Sequence, residues 1–195
     1  MTNVARRHIL VLLVLVVAQL VLSGATTPQS GRPNHDPSLA RLVTRDIPNF
    51  WRVFDQASLT SAAELFQRDY LDPGTTGLHD FLASRIQNSR LLAAVVAARP
   101  RYYAAIRSST LALDASGAFK DTVQVAFQRL KTLDNDAVFP DVYFVIGRMN
   151  SAGTTSSNGL LIGVEMNARD DRTPVDELTP WERAVTGRIA SSVRS

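Results

Sequence analysis

Metal and acid–base chemistry need imidazoles, thiolates or carboxylates at set spacings, and this chain is poor in the first two. Its 195 residues contain no cysteine and three histidines, His8, His35 and His79. The absence of cysteine excludes disulfides, thiol nucleophiles and Cys-ligated zinc. In H-E-x-x-H, two histidines four residues apart face one way and ligate Zn²⁺, while the glutamate activates the bound water. The motif is absent here. His79-Asp80 sets a carboxylate beside an imidazole, but no second histidine stands four residues away, and His79 reads as a surface residue near a helix start. Glu64, Glu165, Glu177 and Glu182 stand in no metal-ligand spacing. Glu165 falls in a strand-like run and Glu182 in a helix cap. Asp134, Asp136 and Asp141 hint at calcium, yet Phe139 and Val145 occupy the places where an EF-hand needs Gly and Glu. A solvated acidic turn is the better reading. G-x-S-x-G, S-x-x-K and G-x-x-x-x-G-K-[ST] are also missing, and Ser151 and Ser156 have no base to activate them. No catalytic or metal-binding residue is predicted.

The composition is that of a globular protein, 45% hydrophobic and 20% charged. Arg6 and Arg7 supply two of the 21 basic residues, and the remaining 19 face 18 acidic ones. Without clustered positive charge there is no nucleic-acid footprint. The same two arginines precede an apolar run, residues 9–22, too short for the roughly 20 residues of a membrane span. Small residues follow at Ser23-Gly24-Ala25. The three parts predict a signal peptide over 1–25, cleaved after Ala25, and hence a periplasmic or extracellular protein. Membrane association would arise only from an uncleaved anchor. Residues 26–37 hold three prolines and read as a flexible linker, so the folded domain is expected over 38–195.

Helical spacing dominates the first part of that domain. Asp46 is a candidate cap for a helix with Ile47, Phe50, Trp51 and Phe54 on one face. A short helix fits 61–71, and Asp72-Pro73-Gly74 is a turn. A third helix starts near Thr76 with Leu78, Phe81, Leu82 and Ile86 inward. The pattern continues through Val96 until Pro100 interrupts it, and Arg101–Arg107 adds a turn or two. From Gly117, Phe119, Val123, Ala126, Phe127, Leu130 and Leu133 share a face. The period then changes. Val142–Ile146 and Leu160–Met166 are β-prone runs, the first fit for burial on both faces. They are expected to pair as a β-hairpin. The polar connection from Gly147 to Gly159 exceeds the usual hairpin loop of about 2–5 residues. It nominates Asn150, Thr154, Thr155 and Asn158 as substrate-cleft residues. Thr179-Pro180 with Glu182 forms a capping box for a last helix, with Trp181, Ala184, Val185 and Ile189 as its apolar face. The expected class is α+β.

Residues 137–185, AVFPDVYFVIGRMNSAGTTSSNGLLIGVEMNARDDRTPVDELTPWERAV, resemble a bacterial family of predicted exported zinc-dependent proteases with a gluzincin-like fold. DIPNFWRVFDQA (46–57), AELFQRDYLDPGTTGL (63–78) and ARPRYYAAIR (98–107) match that family's helical region. The resemblance implies a strand edge that pairs with extended substrate above a zinc-binding helix. It also implies an H-E-x-x-H helix soon after the region of Trp181-Glu182. This chain ends before that point. The expectation is therefore an incomplete zincin-like domain, truncated before its zinc motif and inactive alone, with zinc held by full-length relatives. The alternative is a non-catalytic, exported peptide-binding module that uses the edge of the 142–166 hairpin. Without a catalytic helix beneath it, the hairpin should leave Phe144 or Ile162 exposed and the product marginally stable or oligomeric.

Overall fold

A computed structural model describes residues 33–57, 61–115 and 117–186. The expected signal peptide, most of the linker and the tail containing Ile189 lie outside the described residues. The fold is α+β, with seven α-helices and one four-stranded sheet among the described residues. None of these helices is long and apolar enough to cross a membrane.

The first helix, α1 (Asp46–Gln56), forms where the spacing predicts it. Phe50 is fully buried and touches the rings of Trp51, Phe66, Tyr70 and Tyr103 at centroid distances of 5.1–5.8 Å. Asp46 does not cap its own helix, because Arg45 stands at the cap position. Its buried carboxylate instead accepts hydrogen bonds from the amide and hydroxyl of Thr75. Thr75 in turn caps α3 (Thr76–Phe81), so one acid joins two helix starts. Between them, α2 (Ala62–Phe66) widens into a π-helical turn over Gln67–Leu71. A second π-helical turn, Leu82–Ile86, follows α3 and ends at Gln87, whose φ of +71° is left-handed. Asn88 then caps α4 (Ser89–Ala97). As expected, the helical pattern is interrupted before Pro100. That residue opens α5 (Pro100–Ala115), where its missing N–H has no helical partner to lose. The amphipathic α6 (Gly117–Leu133) buries Phe119, Val123 and Phe127, while Leu133 at its end is exposed.

The strands are β1 (Leu42–Val43), β2 (Val142–Val145), β3 (Gly153–Ser156) and β4 (Gly159–Gly163). Their order is β1-β2-β4-β3. The expected hairpin between the two apolar runs is not what forms. β2 and β4 are parallel neighbours, Val142 opposite Leu160 and Val145 opposite Gly163. Parallel strands require the chain to return to the starting end, and β3 makes that return, antiparallel to β4. The polar Gly147–Gly159 connection therefore contains a strand, and the hairpin is β3–β4. Residues 164–166 leave the sheet as a 3₁₀ turn, which takes Glu165 off the strand.

β2 and β4 are buried along their whole length, as parallel central strands are. Gly77 lets α3 lie on β2, since a Cβ there would stand 2.1 Å from the Tyr143 ring. The sheet face expected to be bare is covered. Phe144 and Ile162 are 1% and 2% exposed, and Phe119 meets Phe144 edge to face at 5.3 Å. The end of the expected linker is part of the fold as well. Asn34 and Phe139 exchange hydrogen bonds of 2.8 and 2.9 Å, and the His35 ring bonds the Ala137 carbonyl. Arg41 clasps Asp141 beside β2. The last helix, α7 (Pro180–Val185), has the predicted capping box. Only part of its expected apolar face turns inward, with Val185 packed against the core. Trp181 is 55% exposed, and Glu182 is buried against Arg99 at 2.9 Å.

Phe119 is the cover of β2, so its loss tests this arrangement. Phe119→Ala should lower stability by about 3 kcal/mol in urea unfolding, with an unchanged m-value.

Candidate functional site

β2 and β4 end side by side, and the segments 146–151 and 164–167 emerge there. Crevices at the carboxyl ends of parallel strands are where such sheets place their sites. The chain beyond β2 no longer has a ladder to satisfy it, and side chains take over. The Tyr70 hydroxyl donates to the Ile146 carbonyl at 2.7 Å and accepts from the Ile146 amide at 3.0 Å. Tyr103 donates to the Gly147 carbonyl at 2.8 Å, and Tyr102 to the Glu165 carbonyl at 2.7 Å. Burial pushes all three phenols above their ordinary values, so they remain protonated donors. The π-helical turn of Gln67–Leu71 places Tyr70, and the first turn of α5 places the other two.

Glu165 lies at the centre and is fully buried. Its Oε1 accepts from the backbone amide of Met149 at 3.3 Å, and the nearby amides of Gly147 and of Glu165 itself also favour its charged form. Burial outweighs these bonds and pushes its pKa up to about 7. Its Oε2 has no hydrogen-bond partner among the described residues. Gly147 makes the approach possible, because a Cβ there would stand 2.7 Å from Phe81 and 2.9 Å from Oε1. Met149 has a φ of +60°, the left-handed region where a side chain is strained.

The two left-handed residues lie close together. Arg148, next to Met149, donates through Nε to the carbonyls of Arg85 and Ile86, and through Nη2 to Gln87. The nominated cleft residues gather on the same helical segment. Asn150 donates to the Arg85 carbonyl at 3.0 Å, Arg85 Nη2 donates to Thr154 Oγ1 at 3.0 Å, and Asn158 donates to Asp80 at 2.8 Å. Thr155 stands apart from them, since alternate strand residues face opposite sides of the sheet. Arg85 Nε and Asn150 Oδ1 join Glu165 Oε2 as buried polar atoms without partners among the described residues.

β3 is the sheet's outer strand. Gly163 donates to the Ala152 carbonyl at 3.2 Å, which fixes the phase of the antiparallel ladder. Residues 154 and 156 therefore bond β4, while the backbone groups of Gly153 and Thr155 point outward. The Ser151 hydroxyl takes up the Gly153 carbonyl at 3.2 Å. No further strand lies outside β3 among the described residues.

Sequence reasoning missed Glu165, Arg85 and the three tyrosines. The available signal was an acid in the otherwise apolar run GLLIGVEM. For zinc the described residues do not fit. No group of three or more His, Cys, Asp or Glu is placed to hold an ion among them, and the rings of His35 and His79 bond the carbonyls of Ala137 and Leu71. Comparison of the chain with protein-family models, curated proteins and solved structures gives no match.

The buried carboxylate and the glycine beside it each set a measurable outcome. A raised acid pKa means that the native state holds the proton more tightly than the unfolded chain. Its stabilising effect is complete below the ordinary value of 4.5 and is lost as pH rises through about 7. The full difference is about 3 kcal/mol. Unfolding free energies measured from about pH 5 to 8 should fall more steeply for the native protein than for Glu165→Gln. Gly147→Ala should destabilise by about 2 kcal/mol or more, because the methyl must displace both Phe81 and Glu165.

Proposed function

We propose that this is an exported, zinc-protease-like protein whose described part holds an extended peptide by strand addition at β3. It serves as a substrate-binding wall, and the described residues supply no reacting group. One observation carries the reading: the outer edge of β3, where Gly153 and Thr155 turn backbone groups away from β4. An edge strand with free amides and carbonyls is a template for another chain. The strand is short and half-buried, which suits the binding of one segment more than open-ended sheet growth. Polar residues flank it, with Arg85 on Thr154 and Asp80 on Asn158, and can read alternate side chains of a bound peptide. The resemblance of 137–185 to exported zinc proteases agrees with this, since substrate there lies along such an edge. The export assignment rests on Arg6-Arg7, the apolar run and Ser23-Gly24-Ala25.

The test uses fluorescence anisotropy with reduced, carboxymethylated α-lactalbumin as a permanently unfolded probe. Saturable binding is expected. Thr155→Pro removes an outward amide and fills the edge with a ring while leaving the bonds of residues 154 and 156 to β4. It should abolish binding with little change in far-ultraviolet circular dichroism. No saturable binding by the native protein, or equal binding by Thr155→Pro, overturns the proposal.

A further inference from the structure

The strand that carries the proposed edge is reached only through residues 146–152, and the anchors of that segment differ in kind. Tyr70 and Tyr103 hold the peptide groups of Ile146 and Gly147 through neutral hydroxyls. Arg148 and Asn150 hold the carbonyls of Arg85 and Ile86 through a guanidinium and a carboxamide. Glu165 holds the segment through a group that changes charge near neutrality, with Oε1 accepting the Met149 amide.

Its surroundings favour the neutral form. The titratable groups facing it are Tyr102 and Tyr103 from α5 and Tyr70 from the first π-helical turn, and all three are themselves kept neutral. From α3 comes only the Phe81 ring, which lies with Oε2 against the Cα of Gly163. The nearby cations are engaged elsewhere: Arg85 with Thr154, Arg148 with Gln87, Arg99 with Glu182, and Arg169 with the Thr186 carbonyl. A Cβ on Gly163 would meet both the Ser151 carbonyl, at 2.2 Å, and Glu165 Oε2, at 3.3 Å. Oε2 and the Ser151 carbonyl thus flank the same point on Gly163, and that carbonyl belongs to the same segment. An ionised Oε2 has no donor among the described residues, and its most local relief is to open the segment whose Met149 amide the carboxylate holds. Opening also releases the left-handed Met149.

We propose that protonation of Glu165 latches residues 147–151 and so holds the β3 edge in its binding position, and that ionisation releases both. The consequence for binding rests on the peptide-binding reading above; the latch itself does not.

Hydrogen–deuterium exchange on the full chain tests the latch, with rates corrected for intrinsic pH dependence. Protection of the peptide spanning 147–153 should fall about tenfold or more between about pH 6 and 8 in the native protein. Glu165→Gln keeps an acceptor for the Met149 amide and removes the ionisable group, so its protection should stay high throughout. Flat protection in the native protein overturns the latch, as does a variant that titrates like it. The native arm decides alone if the variant does not fold. Binding of carboxymethylated α-lactalbumin should weaken over the same pH range in the native protein and not in Glu165→Gln. Binding that ignores pH while protection titrates overturns the coupling to the edge. Titrating protection with no binding at any pH supports the latch and overturns the peptide reading.

Discussion

The structure depends on where β2 stops. A parallel strand in the interior ends among other buried groups, and its next peptide is cut off from ladder and solvent alike. Here the Tyr70 hydroxyl answers both polar groups of Ile146, donating to one and accepting from the other. That single contact ties the π-helical turn of the helical layer to the sheet. It also determines where the connection to β3 begins. Tyr103, Tyr102 and Glu165 extend the same solution to the next peptides, so the end of β2 is closed by side chains where backbone would otherwise be needed.

Much of the helical layer was legible because its signals are local. The i, i+3, i+4 spacing of Ile47, Phe50 and Trp51 and the Thr179–Glu182 capping box both specify structure within a few residues. The double burial of Val142–Val145 was also legible, since a continuous β-branched and aromatic run has no polar face. The pairing of that run was not. Parallel or antiparallel order is decided by whether the chain between can form its own strand, and Gly153-Thr154-Thr155-Ser156 has no apolar alternation to announce one. Asp46 failed for a related reason. Its type was right for a cap, but the helix it serves lies 29 residues on, at Thr75. Asn150, Thr154 and Asn158 were nominated from loop composition, whereas Arg85 and Glu165 were hidden because their contacts are tertiary.

The described residues include three buried acids, and each solves its desolvation differently. Glu182 has a guanidinium, the Arg99 side chain, and also receives the Thr179 amide. Breaking such a pair leaves an uncompensated charge, so it clamps the α7 region to the start of α5. Asp46 has no cation bonded to it, but an amide and a hydroxyl share its two oxygens. Glu165 has an amide donor on one side and, among the described residues, an unpartnered oxygen on the other.

That difference separates structural acids from a responsive one. A carboxylate whose partners are spread over several rigid elements cannot relax without breaking the fold, and its protonation changes only global stability. The hydrogen-bonded donor to Glu165 is the amide of strained Met149, on a short connection that leads within a few residues to β3. The charge on Glu165 can therefore be relieved locally, with the loss of a few hydrogen bonds and the release of backbone strain. The helices and β2 need not move, because Tyr70 and Phe119 hold them independently of the carboxylate. A buried acid placed to perturb one connection and nothing else links proton binding to the sheet edge by the shortest route the fold contains.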